Sequence, residues 1–227
     1  MKSVEGVRVR RDTAAPERDA GHRRRLVLLD EDDRETALFF LRWLREPTRI
    51  GAIAPSSRQL GRAMARQVTA LGTDPVIELG GGTGSVTRAL LEAGIAPERL
   101  VVVERDERLF RILQQRFPSV RVVRGDARTL RRLLAPLGVR KAAAIVSCLP
   151  LISMPRRTCL RIVAESFALL GEGRPLVQFT YGLTSPLARE RLGLKGRITA
   201  RIWANLPPAS VWRYERPRHR HELPQVA

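Results

Sequence analysis

A glycine-rich segment between a short apolar run and a helical pattern has the strongest chemical signature in the sequence. Positions 78–84 read ELGGGTG. A glycine turn between a strand and a helix lets the backbone approach a ligand closely at the carboxyl end of the strand. The dinucleotide pattern G-x-G-x-x-G, counted from Gly80, would need a third glycine where the sequence has Ser85. The segment instead fits E-x-G-x-G-x-G, with an acid on the strand and three glycines at every second position.

Two further acids follow predicted strands at the expected intervals. Glu104 ends the second strand, 20 residues after Gly84, where a carboxylate can accept hydrogen bonds from both hydroxyls of a ribose. Asp126 follows the third strand, between Gly125 and Ala127. Taken singly, an acid at a strand end is often a helix cap, and a glycine loop is often only a turn. The occurrence of all three on consecutive strands favours one cofactor site.

These features resemble the class I S-adenosylmethionine-dependent methyltransferases. The resemblance implies that S-adenosylmethionine is the cofactor and that Asp126 meets its adenine amine. This cofactor has no phosphate, which agrees with a glycine loop that lacks a lysine. The predicted cofactor-binding residues are Ser57, Glu78, Gly80, Gly82, Thr83, Gly84, Glu104, Asp126, Ala127 and Ser147.

The elements that must position these residues alternate between strands and helices. Strands are predicted at 75–79, 100–104, 120–124, 142–147 and 175–180, and helices at 85–92, 107–117, 127–137 and 156–170. Two more apolar runs, 198–203 and 210–214, close the pattern without a clear helix between them. Strands separated by helices form a parallel sheet covered on both faces. The alternation therefore predicts an α/β fold with a seven-stranded, mostly parallel sheet, and the resemblance implies that this fold is of the class I methyltransferase, Rossmann-like type.

The domain organisation follows from shifts in composition along the chain. Residues 1–30 read as a flexible basic arm, 31–70 as N-terminal helices that contact a membrane or form a lid, 71–216 as the methyltransferase domain, and 217–227 as a basic tail. The first of the helices should end near Glu46, because Pro47 disfavours helix in the residue before it. The second should begin after Ser56 and Ser57, which can cap it.

The charge of the chain indicates partners that carry phosphate. The 227 residues include 41 Lys and Arg against 23 Asp and Glu, a net charge of +18, and almost all of the cations are arginines. The planar guanidinium suits phosphate on nucleic acid or on lipid headgroups, although a general bias toward arginine explains many of these residues equally well. An anionic protein that repels phosphate is excluded.

Histidine and cysteine usage excludes several kinds of active site. His22, His219 and His221 lie in the basic tails, so neither a histidine triad nor a histidine zinc site is expected. Cys148 and Cys159 are too few for a disulfide scaffold and lack zinc-ligand spacing, which favours a reducing compartment and no metal. No run approaches the roughly 18 apolar residues of a membrane span, and the N-terminus lacks a secretory signal. A cytoplasmic location is expected.

The segment after the fourth strand bears on the substrate. Positions 147–151 read SCLPL, which resembles the N/D/S-P-P-Y/F segment of methyltransferases that act on the amines of adenine or cytosine. Leu151 stands where an aromatic ring would stack on the base, and stacking contributes about 1–3 kcal/mol per base. Its absence counts against a nucleobase substrate. Leu149 and Leu151 are predicted to line an apolar substrate pocket, although the packed edge of a core explains them almost as well.

A helix predicted over 34–46 is amphipathic. Phe39, Phe40, Trp43 and Leu44 fall on one face, and arginines occupy the other. Aromatic residues beside arginines are typical of a helix that lies in a membrane interface, while a lid packed on the domain is the alternative. The predicted membrane contacts are Phe39, Phe40, Arg42, Trp43, Leu44 and Arg45.

A closer resemblance covers about residues 34–215. Segments 49–57, 78–84, 147–151, 178–182 and 203–209 are similar to bacterial phospholipid N-methyltransferases, of the Rhodobacter-like type that acts on phosphatidylethanolamine. The resemblance implies stepwise methylation toward phosphatidylcholine by a protein bound peripherally to the inner face of the cell membrane. The expected partners are phosphatidylethanolamine and anionic lipids, with no nucleic acid, and the expected state in solution is a monomer.

Three alternatives stay open at this stage. Ornithine-type aminolipids carry a comparable amine, and the ribosomal RNA adenine methyltransferases resemble the chain more distantly. A basic membrane- or nucleic-acid-binding protein with a vestigial cofactor fold is the alternative that is not an enzyme. The complete set of cofactor motifs counts against that last possibility.

The proposed chemistry needs a route for one proton. A primary ammonium must lose a proton before its nitrogen can attack a methyl group, and with no core histidine a tyrosine, a carboxylate or water must accept it. Tyr181, at the end of the fifth strand, is the predicted catalytic residue, and its ring could also hold a methylated ammonium. Arg189 is the predicted contact for a headgroup phosphate, ahead of Arg191, Lys195 and Arg197.

Overall fold

The structure is a computed structural model that describes residues 55–68, 72–181, 185–187, 189–203 and 208–217. The basic arm at 1–30, the basic tail from 218 onward and the amphipathic helix at 34–46, with its predicted membrane contacts, lie outside these residues.

Seven strands form one sheet. They are β1 (Val76–Leu79), β2 (Leu100–Glu104), β3 (Arg121–Arg124), β4 (Ala144–Ser147), β5 (Leu176–Tyr181), β6 (Lys195–Ile202) and β7 (Ala209–Glu215). Their order is β3-β2-β1-β4-β5-β7-β6, in which the first five strands are parallel and β7 is antiparallel to both of its neighbours. The predicted seven-stranded, mostly parallel α/β fold is confirmed. The carboxyl ends of β1 to β5 meet at one edge, which we call the carboxyl edge.

Helices cover both faces of the sheet. They are α1 (Pro55–Ala65), α2 (Ser85–Glu92), α3 (Glu107–Arg116), α4 (Leu130–Leu134) and α5 (Arg156–Leu169). α1 begins at Pro55, a residue favoured at the first helical position, so the two serines predicted to cap it lie inside its first turn. The single helix predicted over 127–137 is a 3-10 turn, the short α4 and a second 3-10 turn that contains Pro136. Proline supplies no amide hydrogen, so it interrupts a continuous helix.

Two hydrophobic cores hold the helices on the sheet. Met64 of α1 and Leu90 of α2 pack in the first core, while Leu130 of α4 and Phe167 of α5 pack in the second. β1, β2 and β4 are buried at every position, as expected for central parallel strands between two helical layers. The loops at the carboxyl edge therefore start from backbone that is fixed on both sides.

The described residues lack two features, a membrane-spanning helix and a cluster of metal ligands. No helix in them has the length and hydropathy needed to cross a membrane. They also contain no group of three or more His, Cys, Asp or Glu side chains that could hold a metal ion.

Candidate functional site

The glycine loop combines packing requirements with an open position. Gly80, Gly82 and Gly84 have φ angles of 76°, 56° and 88°, which side chains rarely adopt. A Cβ at Gly84 would overlap the Phe117 ring, and one at Gly80 would lie 2.8 Å from Cδ2 of Leu149. A Cβ at Gly82 would meet nothing within 4 Å. Two of the glycines thus accommodate neighbouring side chains, while Gly82 lines a cradle that is open to a ligand.

Glu104 joins the end of β2 to this cradle. One carboxylate oxygen, Oε2, accepts a hydrogen bond from the Gly82 amide at 3.0 Å, and Oε1 accepts one from the Asp106 amide at 2.9 Å. The side chain is almost fully buried. A carboxylate oxygen has two lone pairs, so each oxygen can accept a second hydrogen bond. The arrangement leaves acceptors for a ligand with paired hydroxyl groups, and the ribose contact that the sequence predicts stays a prediction.

Glu78 is a buried acid that is affected by the charge of a second acid, Glu104. It lies within β1 and is fully buried, with Oε2 accepting a hydrogen bond from the Thr87 hydroxyl at 2.7 Å. Its other oxygen, Oε1, has no hydrogen-bond partner among the described residues. Burial raises the pKa of Glu78 to about 8; the Thr87 hydrogen bond acts in the opposite direction, and the Glu104 carboxylate adds to the rise. Two acids at the ends of adjacent strands favour a ligand that carries positive charge.

Asp126 caps the turn that follows β3. Its carboxylate accepts hydrogen bonds from the Arg128 amide at 2.8 Å and from the Arg128 guanidinium at 2.8 and 3.0 Å. The guanidinium hydrogen bonds lower the pKa of Asp126 below its usual range. The helix-cap role that the sequence left open is thus present, and the adenine contact stays a prediction. Ala127 is buried in the second core.

The segment after β4 is fixed by backbone and core contacts. Ser147 is buried, and its hydroxyl accepts a hydrogen bond from the Leu149 amide at 3.4 Å. Leu149 is half-buried and lies against Gly80. Leu151 is only 3% exposed and packs in the second core. Its predicted contact with substrate is therefore corrected: the core encloses the side chain, as the alternative interpretation of an apolar core edge anticipated.

Gln178 of β5 is a site residue that sequence reasoning missed. It is buried, and its Nε2 donates hydrogen bonds to the carbonyl oxygens of Leu149, at 2.9 Å, and Phe179, at 2.7 Å. Its Oε1 has no partner within the described part of the chain. Gln178 ties the segment after β4 to β5. The signal available in the sequence is an amide between two apolar residues inside a strand, since buried polar groups need partners.

Tyr181 lies at the carboxyl edge, whereas the second tyrosine does not. Tyr181 is the last residue of β5, is half-buried and packs edge-to-face on Phe179 with ring centroids 5.6 Å apart. Tyr214 pairs with Leu176, the first residue of β5, and therefore lies at the opposite edge. Burial raises the pKa of Tyr214 above its ordinary value. Of the two tyrosines in the chain, the position of Tyr181 suits a role at the cofactor loops.

Arg189 lies away from the other predicted site residues. Its Nη1 donates a hydrogen bond to the Gly196 carbonyl at 2.7 Å, and its guanidinium lies 6.0 Å from the centroid of the Trp212 ring. Gly196 pairs with Tyr214, so this contact is near the amino end of β5. The predicted contact of Arg189 with a headgroup at the carboxyl edge is not supported by this position. Arg189 is close to Tyr181 in the sequence, but the chain runs back along the sheet before β6 begins, so the two residues lie at opposite edges.

One predicted cofactor residue, Ser57, is described only in part, and another, Thr83, is held through its backbone. Ser57 lies in the first turn of α1, and its side chain is outside the described residues. The carbonyl of Thr83 accepts a hydrogen bond from Arg116 Nη1 at 2.8 Å, which fixes the glycine loop against α3.

The chain is similar to one known protein over most of that protein's length and to several others over shorter segments. No protein-family model matches the chain. The chain is 34% identical over 140 residues to the ornithine lipid N-methyltransferase of Singulisphaera acidiphila, which covers 59% of this chain and 73% of that protein. It is 41% identical over 92 residues to the ribosomal RNA small subunit methyltransferase A of Phenylobacterium zucineum, covering 39% of this chain and 30% of that protein.

Solved structures share the fold at low sequence identity. The Burkholderia thailandensis 1,6-didemethyltoxoflavin-N1-methyltransferase, with its substrate and S-adenosylhomocysteine bound, matches with a TM-score of 0.59 at 17% identity, over 84% of this chain and 92% of that one. A Bacillus cereus O-methyltransferase with S-adenosylhomocysteine matches with a TM-score of 0.56 at 12% identity, over 84% and 93% of the two chains. These likenesses concern the fold alone.

Proposed function

Because the chain belongs to the family of the Singulisphaera acidiphila ornithine lipid N-methyltransferase, within the class I S-adenosylmethionine-dependent methyltransferases, we propose that it methylates the amino headgroup of a membrane lipid. The sequence resemblance implied phosphatidylethanolamine, and the name of the relative supports ornithine lipid. Both lipids present a primary amine, so the same chemistry serves either one. We take phosphatidylethanolamine as the first substrate to test and ornithine lipid as the second.

S-adenosylmethionine is the cofactor, and the residues at the carboxyl edge fit it. When bound, it supplies a methyl group that an amine can attack. Gly82 leaves space beside the loop, and Glu104 offers two oxygens for the ribose hydroxyls. The cofactor carries a sulfonium and an ammonium cation, which suit the Glu104 carboxylate, and a bound cation would favour the ionised form of the neighbouring Glu78.

The observation that favours an aliphatic amine over a nucleobase is the packing of the segment after β4. Leu151 occupies the position where a base would need an aromatic ring, and its side chain is enclosed in the second core. No stacking surface is available at that position. Leu149 instead provides a half-buried apolar side chain and a backbone carbonyl held by Gln178. Such a surface can orient a small amine but offers no stacking partner for a planar base.

Tyr181 is the residue that we propose for proton transfer. An alkylammonium with a pKa near that of lysine, about 10, must become neutral before its lone pair is available. The Tyr181 hydroxyl can relay this proton by accepting it while it releases its own hydrogen to water, because it stands at the end of β5, at the same edge of the sheet as the cofactor loops. Its ring can also face a methylated ammonium, an attraction of about 0.5–2 kcal/mol. Orientation of the amine and the methyl donor then supplies most of the catalysis.

A second candidate function is methylation of ribosomal RNA. The 41% identity to the ribosomal RNA methyltransferase favours it, but that match covers 30% of the relative. The buried Leu151 counts against it, because the base would lack its stacking partner.

Labelled methyl transfer distinguishes these functions. The protein is incubated with methyl-labelled S-adenosylmethionine and, separately, with phosphatidylethanolamine vesicles, with ornithine lipid in phosphatidylcholine vesicles, and with ribosomal RNA. We expect label in one or both aminolipids and none in RNA. Glu104→Ala serves as the control that should abolish transfer to either lipid. Label in RNA with none in lipid would overturn the proposal.

A further inference from the structure

Trp203 is an exposed aromatic residue that packing does not explain. It is 67% exposed, while the next most exposed large apolar side chains among the described residues are Leu137, at 38%, and Leu160, at 37%. An indole in water costs free energy unless a partner covers it, since burying a large aromatic removes about 150–250 Å² of surface from solvent. Neither core includes it.

The strand register places Trp203 at the carboxyl edge. Ile202, the residue before it, pairs with Ala209, and Ala209 pairs in turn with Tyr181. Trp203 therefore emerges from the sheet two strands away from the proposed catalytic tyrosine, a distance of about 10 Å at the usual strand spacing. An amine that reaches Tyr181 must approach past the same edge.

Exposed arginines accompany Trp203 at this edge. Arg201 is exposed and alternates with Ile202, whose side chain lies in the first core, so Arg201 projects from the opposite face of the sheet. α5 packs on that opposite face and runs from the end of β4 to the start of β5, so its first residues lie at the carboxyl edge. These residues are Arg156 and Arg157, both exposed, in a first turn that has no acidic residue. Cations are disfavoured at this end of a helix, so the fold alone gives no reason for them.

We propose that Trp203, Arg201, Arg156 and Arg157 form a docking rim that contacts an anionic lipid bilayer. The inference rests on the proposed function, because a lipid headgroup must enter the site from the membrane. Tryptophan is enriched at the membrane interface, where its apolar ring and its polar N–H both find suitable surroundings. Arginine binds phosphate with paired hydrogen bonds, and the net charge of +18 attracts the whole chain to an anionic surface.

The docking rim explains how a substrate that stays in the plane of the membrane reaches the site. Insertion of the indole to the level of the headgroups brings the carboxyl edge to the depth at which the amines lie. Arg156 and Arg157 on one side and Arg201 on the other then contact phosphates around the entering lipid.

Vesicle co-sedimentation with a matched pair of variants tests the rim. Trp203→Ser is compared with Leu137→Ser, which removes an exposed apolar side chain just before β4, at the opposite edge. With vesicles of phosphatidylethanolamine and phosphatidylglycerol, we expect Trp203→Ser to bind on the order of tenfold more weakly and Leu137→Ser to bind like the parent. Equal binding by both variants would overturn the proposal.

A charge-matched pair tests the arginines. The double variant Arg156→Gln/Arg157→Gln is compared with Arg140→Gln/Lys141→Gln, which removes the same charge from exposed positions before β4. We expect only the first to weaken vesicle binding at low salt, and the difference to shrink at high salt, where these attractions are screened. An equal loss from both would show that net charge, and not the rim, attracts the membrane.

Fluorescence quenching gives a measurement that does not depend on a variant of the rim itself. In Trp43→Phe protein the remaining tryptophans are Trp203 and the buried Trp212. Lipids brominated near the headgroup should quench the Trp203 emission when vesicles are added. Emission that is unchanged in sedimenting protein would overturn insertion of this side chain.

Activity on a soluble substrate separates the rim from the proposed function. Each variant is assayed with short-chain phosphatidylethanolamine below its micelle concentration, where docking is not needed. Parental activity of Trp203→Ser here, together with lost vesicle binding, supports the rim. If the parent methylates no lipid, the proposed function fails while the vesicle measurements still decide the rim. If Trp203→Ser weakens binding to RNA and not to vesicles, the rim is a nucleic-acid surface and our inference is wrong.

Discussion

The buried carboxyl group of Glu78 makes the stability of the protein depend on pH. In the folded chain its pKa is about 8, against 4.5 as an ordinary value, so between these limits the folded state holds a proton that the unfolded state has lost. The stabilisation is fully present below about pH 4.5 and is lost as pH rises through 8. Over that interval the free energy of unfolding should fall by about 1.4 kcal/mol per pH unit from this group alone.

Glu78→Gln removes this titration while it keeps a side chain of the same shape. We expect the variant to lose less stability than the parent as pH rises from about 5.5 to 7.5, because its amide stays neutral throughout. Urea denaturation of the cofactor-free proteins at both pH values provides the measurement. Parallel stability curves for the two proteins would show that Glu78 is ionised in the fold.

Substitution of Gly82 can distinguish a role in cofactor binding from a role in backbone conformation. Gly82→Ala places a methyl group in the cradle at φ 56°, and Gly138→Ala places one in equally open space at φ 72° before β4. Both should lose about 1 kcal/mol of stability, because the left-handed backbone conformation strains a side chain. We expect only Gly82→Ala to weaken S-adenosylmethionine binding in calorimetric titration. Equal affinities in the two variants would remove Gly82 from the cofactor site.

The hydroxyl of Tyr181 can be tested apart from its ring. Tyr181→Phe should bind the cofactor normally and lose most of its turnover if the hydroxyl relays the proton. If only the ring acts, through contact with a methylated ammonium, Tyr181→Phe keeps its activity and Tyr181→Ala does not. Single-turnover methylation of a soluble aminolipid measures both variants, and full activity of Tyr181→Ala would exclude both roles.

At the scale of elements, β5 supports the segment after β4 through Gln178. Gln178→Leu removes the donor to the Leu149 carbonyl, and we expect kcat to fall while cofactor affinity stays near that of the parent. Ser166→Ala is the control, since it removes another buried side-chain hydrogen bond, to the Ile162 carbonyl inside α5. Each change should cost about 1 kcal/mol of stability. Equal kcat values in the two variants would contradict a positioning role for Gln178.

The elements that could be predicted from sequence are those fixed by local pattern. The apolar runs of β1, β2 and β4 and the glycine turn after β1 gave the fold and brought Glu78 and Glu104 to one edge. Leu151, Gln178 and Arg189 depend on which side chains meet across the sheet. Local pattern contains no information on that pairing, so it predicts a pocket wall at an enclosed leucine and a ligand contact at a distant arginine.

At the scale of the whole molecule, membrane binding should combine apolar and electrostatic contributions. The predicted helix at 34–46 lies outside the described residues, and its role stays a prediction from the sequence. Replacement of Phe39, Phe40 and Trp43 by serine should release the protein from anionic vesicles, and high salt should weaken binding by the parent. If the triple variant sediments like the parent at both salt concentrations, the helix is a structural lid.

The antiparallel insertion of β7 divides the sheet into parts that should open at different rates. The described residues that link β5 to β6, 185–187 and 189–194, form turns over Trp212 and Tyr214, where the central strands have helices. A turn closes fewer internal hydrogen bonds than a helix and can lift away without breaking the central layers. Amide hydrogen exchange should therefore be faster in β6 than in β1 and β4, whose protection should approach that of global unfolding. β6, which bears Arg201 and leads into Trp203 of the docking rim, would then open independently of the central strands and adjust to the bilayer while the cofactor loops stay rigid.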